Sequence, residues 1–169
     1  MAVELLKSTS ITALDAVPSA VGNARVLGGI VRQAVGNALA ASDASIGSIY
    51  RLARVPSNAC GLSVILSNAA FTTTGAADIG VYKATVGAVA GAVVDADFFA
   101  SAQLLTTALL NTEVTHESGV YTLAKREQPL WEALGLTADP QILYDIALTL
   151  TAANTTTAAQ VALRVQYTQ

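Results

Sequence analysis

The plainest patterning lies near the C-terminal end, where Ile142, Tyr144, Ile146, Leu148 and Leu150 alternate with Leu143, Asp145, Ala147 and Thr149. Beyond a polar stretch from Ala152 to Thr157, Val161, Leu163, Val165 and Tyr167 alternate with Ala162, Arg164, Gln166 and Thr168. A period of two places successive side chains on opposite faces of a strand, so this stretch predicts a hairpin with one buried and one solvated face. Upstream, Ile46 to Val55 reads as a strand ended by Pro56, with Ser57-Asn58 as turn residues. Leu62, Val64 and Leu66 alternate with Ser63, Ile65 and Ser67; Ile79, Val81 and Lys83 alternate with Gly80 and Tyr82 after the Thr72-Thr73-Thr74-Gly75 turn.

Two stretches read as short helices. Asp97 is placed to cap one running through Phe98, Phe99 and Ala102, with a strand as the competing assignment. Gln128 to Leu136 is the better case: Pro129 suits a first turn, Leu130 and Leu134 share a face, and Gly135 is a natural stop. Many short strands with one or two short helices predict a mainly β fold: an antiparallel β-sandwich, jelly-roll-like. Residues 1–44 carry weak periodicity and scattered Gly, Ser and Ala, and Gly28-Gly29 weakens the strand that Val26, Ile30 and Val35 would otherwise seat. They read as an extended N-terminal arm, with a frayed tail as the competing reading, ahead of a sandwich domain at 45–169, and Val3, Leu5 and Leu6 offer a compact apolar hook for a partner.

Composition sharpens this picture. Of 169 residues, 53% are hydrophobic, yet only 5% are aromatic and only 12% are charged, against roughly 25% charged in ordinary soluble domains. No charge falls between Arg54 and Asp78 or between Asp97 and Glu113. A surface this poor in charge suits a chain that hides area against partners or coats it with Thr, Ser and Asn. The formal net charge of −3 argues against nucleic-acid binding, which needs a clustered basic face; the one adjacent basic pair, Lys125-Arg126, is followed by Glu127. The longest strictly apolar run, Val86 to Val94, falls far short of the roughly 20 residues of a membrane helix. No basic segment precedes an apolar stretch near Met1, so synthesis in a cytoplasm-like space is expected. Cys60, the lone cysteine, reads as a small buried hydrophobe rather than a reactive thiol.

Candidate chemistry is sparse. Glu113, His116 and Glu117 offer one nitrogen and two carboxylates to a metal, but they precede Ser118-Gly119 and read more simply as a solvated turn. Asp95 and Asp97, two apart, suggest a weak cation site or a carboxylate pair, with a helix N-terminus as the plainer account. No Ser lies in a G-x-S-x-G elbow, and Gly28-Gly29 lacks the pattern of a phosphate loop. Neither an enzyme nor a bound cofactor or metal is expected. Trp131 is either a core plug beneath the short helix or an interface anchor.

Several segments carry a resemblance: Met1-Ala2-Val3-Glu4-Leu5-Leu6, Tyr50-Arg51 through to Pro56-Ser57-Asn58-Ala59, Asp78-Ile79-Gly80-Val81-Tyr82, Val94-Asp95-Ala96-Asp97-Phe98-Phe99 and Lys125-Arg126-Glu127-Gln128-Pro129-Leu130-Trp131. In phrase and layout, over most of its length, the chain resembles the capsid decoration, or cement, proteins of tailed bacteriophages. The Ala-rich run Val86 to Val94 departs from the polar turn expected there. The resemblance implies a β-sandwich that oligomerises on the virion exterior and binds the major capsid protein, with no catalytic residues. The alternative class is a carbohydrate- or receptor-binding sandwich on a virion surface, for which Trp131 and a few tyrosines are the available stacking groups.

Overall fold

In the computed structural model, which describes residues 6–20, 24–71, 75–84, 91–154 and 158–169, period-two stretches become strands of two packed sheets. In chain order the elements are α1 (Thr9–Asp15), α2 (Ala24–Leu27), β1 (Val31–Ala40), β2 (Ile49–Pro56), β3 (Cys60–Asn68), β4 (Ala76–Lys83), β5 (Val93–Leu104) and β6 (Leu109–Glu113). A 3-10 turn (Leu123–Lys125), α3 (Leu130–Ala133), β7 (Leu143–Ala152) and β8 (Ala159–Thr168) follow. One 4-stranded sheet runs β1-β8-β3-β6 and the other β2-β7-β4-β5. Every pairing is antiparallel.

The order is that of a jelly roll. β4 pairs with β5, β3 with β6, β2 with β7 and β1 with β8, each pair enclosing the last, as when one long double ribbon is rolled up. Mainly β, sandwich and jelly-roll-like are therefore all correct. The inner faces supply the core: Leu62, Val64 and Leu66 from β3, Val161, Leu163 and Val165 from β8, and Ile146, Leu148 and Leu150 from β7 are each at most 1% exposed.

Three expectations need correction. Residues 1–44 are not arm throughout, because β1 pairs with β8 in unbroken register from Val31↔Thr168 to Ala40↔Ala159. Its inward positions, Ala34, Gly36, Ala38 and Ala40, are all small, so the strand lacks the bulky alternation that marks the others. A Cβ at Gly36 would meet the Leu52 carbonyl oxygen at 1.7 Å, so small residues let β1 and β2 close one side of the sandwich backbone to backbone. Second, the alternation of β7 and β8 is real but they do not form a hairpin: β7 lies between β2 and β4, β8 between β1 and β3. Third, the stretch after Asp97 is strand, not helix. Phe98, Phe99 and Ala100 are all buried in β5, and Ala102 takes φ 51° where the strand bends.

The helix expected at Gln128–Leu136 is present as α3, with Pro129 at its N-cap and Gly135 at φ 80° just beyond its end. Among the described residues no helix is long and apolar enough to cross a membrane. The Thr72–Thr74 turn, most of the Val86–Val94 run and Thr155–Thr157 lie outside the described residues.

Candidate interaction surface

The carboxylates and histidine singled out in the sequence are already engaged with the fold. His116 Nδ1 lies 2.6 Å from the Tyr121 carbonyl oxygen, and its ring stacks on the Tyr121 ring with centroids 5.3 Å apart. Glu117 accepts from the Ser101 N–H at 2.7 Å, while Glu113 accepts from the Thr115 hydroxyl at 3.2 Å. The two glutamates thus clamp backbone and hydroxyl groups on either side of the turn. Tyr121 also packs on Phe98 and Phe99, and burial pushes its phenol up to about 12. Asp95 accepts from the Asp97 N–H at 3.3 Å. Burial, then its hydrogen bond with the Asp97 side chain, raises its carboxyl above the usual Asp value, opposed in part by Lys125. Among the described residues no three of His, Cys, Asp and Glu gather where they could hold a metal ion. Cys60 is buried in the core.

Sequence reasoning missed a buried charged group. Asp145, assigned to the solvated face of β7, is 3% exposed. Its carboxylate accepts Arg54 Nε at 2.6 Å, a second Arg54 nitrogen at 3.1 Å and Arg51 at 3.3 Å. The fork on Asp145 raises the already high Arg54 pKa. Arg51 further donates to the Lys83 and Gly91 carbonyls at 2.9 and 2.6 Å and lies over the Tyr82 ring, 5.1 Å from its centroid. The group therefore ties β2, β7 and β4 to both ends of the segment joining β4 to β5. The signal available in the sequence was Arg51 and Arg54 on one strand with a single acidic residue inside an apolar one.

An open cleft of about 380 Å³ beside α3 is lined by Asp95, Phe98, Lys125, Gln128, Glu132 and Leu134, among others. Phe98, its aromatic, is 1% exposed and Lys125 Nζ lies 5.7 Å over its ring, so the cleft presents no open stacking face. Trp131 does not line it. The tryptophan is half-buried on α3, where its backbone N–H donates to the Ser57 carbonyl at 3.0 Å.

What the molecule presents to solvent instead is the outer face of the β1-β8-β3-β6 sheet. Its central row reads Val35, Arg164, Ile65 and Glu113 across the four strands, flanked by Gln33, Gln166 and Ser63 on one side and Asn37, Ala162 and Ser67 on the other. Arg164 and Glu113 are the charged side chains of these rows. Val31, Val35 and Leu39 on β1 are 67%, 63% and 64% exposed, and Leu110 on β6 is 81% exposed. A shallow, mostly apolar depression of about 340 Å³ between Ser67, Ala69, Leu110 and Ala162 continues this face. Of the expected hook, Val3 and Leu5 lie outside the described residues; Leu6 is 85% exposed. Ile11, Leu14, Val17 and Leu27 extend the exposed apolar character through the residues ahead of β1.

The sequence matches no family model and no curated protein. Its fold is similar to that of a chain in the cyanophage Pam1 capsid asymmetric unit, with a TM-score of 0.53 and 18% identity. The likeness covers 83% of this chain and 86% of that one.

Proposed function

We propose that this chain is a virion structural protein that decorates and stabilises a phage capsid by binding the shell of the major capsid protein as an oligomer. The observation that carries the reading is the fold likeness, across most of both chains, to a component of a phage capsid. Two physical features support it. The outer face of the β1-β8-β3-β6 sheet is broad, weakly charged and apolar at β1 and β6, as a surface meant to be covered should be. The residues ahead of β1 expose Leu6, Ile11, Leu14 and Val17 at the surface. In this reading the role is non-catalytic and needs no cofactor; the protein is made in the host cytoplasm and resides on the capsid surface, away from nucleic acid and membrane.

Val3, Leu5 and Leu6 form the hook. Burying three such side chains contributes about 4.5 to 9 kcal/mol, at about 1.5 to 3 kcal/mol each, before the ordering of the arm is subtracted. One arm therefore binds modestly, and several arms of an oligomer bind tightly through avidity. The test must spare β1, so the truncated chain begins at Gly29. It is expected to keep the far-UV circular dichroism of the full chain but to stop co-sedimenting with shells of the major capsid protein, and Leu5→Asp with Leu6→Asp should behave alike. Full occupancy by the truncated chain sinks the hook; failure of the intact chain to bind any such shell sinks the decoration role.

A further inference from the structure

We propose that β1 is the seam of a two-fold homodimer, in which two copies pair edge to edge and join their four-stranded sheets into one of eight. The two sheets present four edge strands, β1, β6, β2 and β5. β6 is short, 5 residues, and bent at Asn111 with φ 55°. β2 shifts register between Arg51 and Ala53, carries two arginines and ends at Pro56. β5 shifts register repeatedly against β4 and carries Asp95 and Asp97. Short length, bulges, charge and proline are the devices that stop a strand edge from recruiting another strand. β1 has none of them in its interior: it runs 10 residues without a bulge, with Arg32 near one end as its only charge.

The backbone of β1 is set up for a partner. Gln169 N–H donates to the Ile30 carbonyl, and Ala69 N–H donates to the Gln160 carbonyl. Even-numbered β8 residues therefore face β3, odd-numbered ones face β1, and on β1 the even-numbered residues are those that serve β8. The N–H and C=O groups of Val31, Gln33, Val35, Asn37 and Leu39 consequently point to the open side. The same five residues are exposed.

They are also self-complementary. With Val35 opposite the second copy's Val35, Gln33 meets Asn37 and Val31 meets Leu39, and all five become hydrogen-bonded pairs on one face of the joined sheet. A slip of two residues leaves Leu39 or Val31 of each copy without a partner in the strand, according to its direction, and a slip of one sets outward residues against inward ones. Charge does not oppose the arrangement. Arg32 falls opposite the second copy's Ala38, and the two Arg164 side chains sit three strand spacings apart, about 14 Å, beyond the screening length of about 8 Å at physiological salt. A single strand seam is smaller than a standard interface, so the dimer is concentration-dependent. The seam forms whether or not the chain decorates a shell.

Sedimentation of the full chain should show its mass doubling as concentration rises. Val35→Pro removes a donor from the open side only, so it should keep the circular dichroism and melting of the native chain. It should nevertheless weaken the dimer by about a hundredfold, because two donors are lost at the two-fold axis. On oxidation, Val31→Cys mixed with Leu39→Cys should cross-link, whereas neither alone should. A chain monomeric at all concentrations, a dimer indifferent to Val35→Pro, or a single-cysteine variant that couples as fast as the mixture overturns the proposal. So does a β1 edge protected from hydrogen exchange only when shells are added, since its occupant is then a capsid strand.

Discussion

Asp145 is flanked along β7 by the buried Tyr144 and Ile146, and two arginines from β2 converge on it. Either guanidinium alone can neutralise the carboxylate; the loss of both strands a buried charge. Arg51→Met and Arg54→Met should each lower stability modestly, while the double variant should lose at least about 1 kcal/mol more than the two together. Urea unfolding of the four proteins measures this coupling, and simple additivity would show that Asp145 is satisfied by other means. Asp95 behaves in the opposite sense. Its folded-state pKa is raised, so the native chain holds its proton more tightly than the unfolded chain and stability falls as pH rises through that window. Asp95→Asn keeps an acceptor for the Asp97 N–H and should melt higher than the native chain at neutral pH. The gap should close as pH drops below the usual Asp range; a gap unchanged by pH would remove the ionisation from the explanation.

At the scale of elements, Gly36 decides whether β1 and β2 can meet. A methyl group there collides with the backbone of Leu52, which has little freedom to retreat. Gly36→Ala should therefore cost about 1 to 3 kcal/mol, read as a lower urea midpoint, while Gly28→Ala, whose nearest neighbour is 3.9 Å away, should not. Element by element, the sequence was readable where burial is one-sided. β3 and β8 carry strict alternation because a single face meets the core, and α3 announces itself by Pro129 and Gly135. β1 was illegible because its inward side chains are small for steric reasons, and β5 because its buried Phe98-Phe99-Ala100 run has no period at all. The β7–β8 connection misled for a different reason: alternation reports which face is buried but carries no information on which strand lies alongside. The apolar outer face was equally hidden, since Val31, Val35 and Leu39 acquire their shared direction only once β1 is known to be a strand.

For the whole molecule in its proposed role, the low charge of the outer sheet face would set how docking responds to solution conditions. Association driven by apolar area is little screened, whereas steering by charge fades once the Debye length shrinks to about 3 Å at 1 M salt. Co-sedimentation with shells should therefore persist, or strengthen, when salt is raised from low to molar concentration, and a steep loss would point to a charged contact instead. The nested pairing has a further consequence, for how the chain comes to be folded. β4 and β5 are near neighbours in sequence and can find each other early, but Val31 must await Thr168. Each outer pair closes a longer loop than the one inside it, so the topology is of the slow, high-contact-order kind. On the ribosome β1 is the first strand of the roll to emerge and stays single until β8, the last, has been made. Throughout that interval its edge, with Arg32 as its one charge, is an unshielded template, and crowded nascent chains are most exposed to mispairing there.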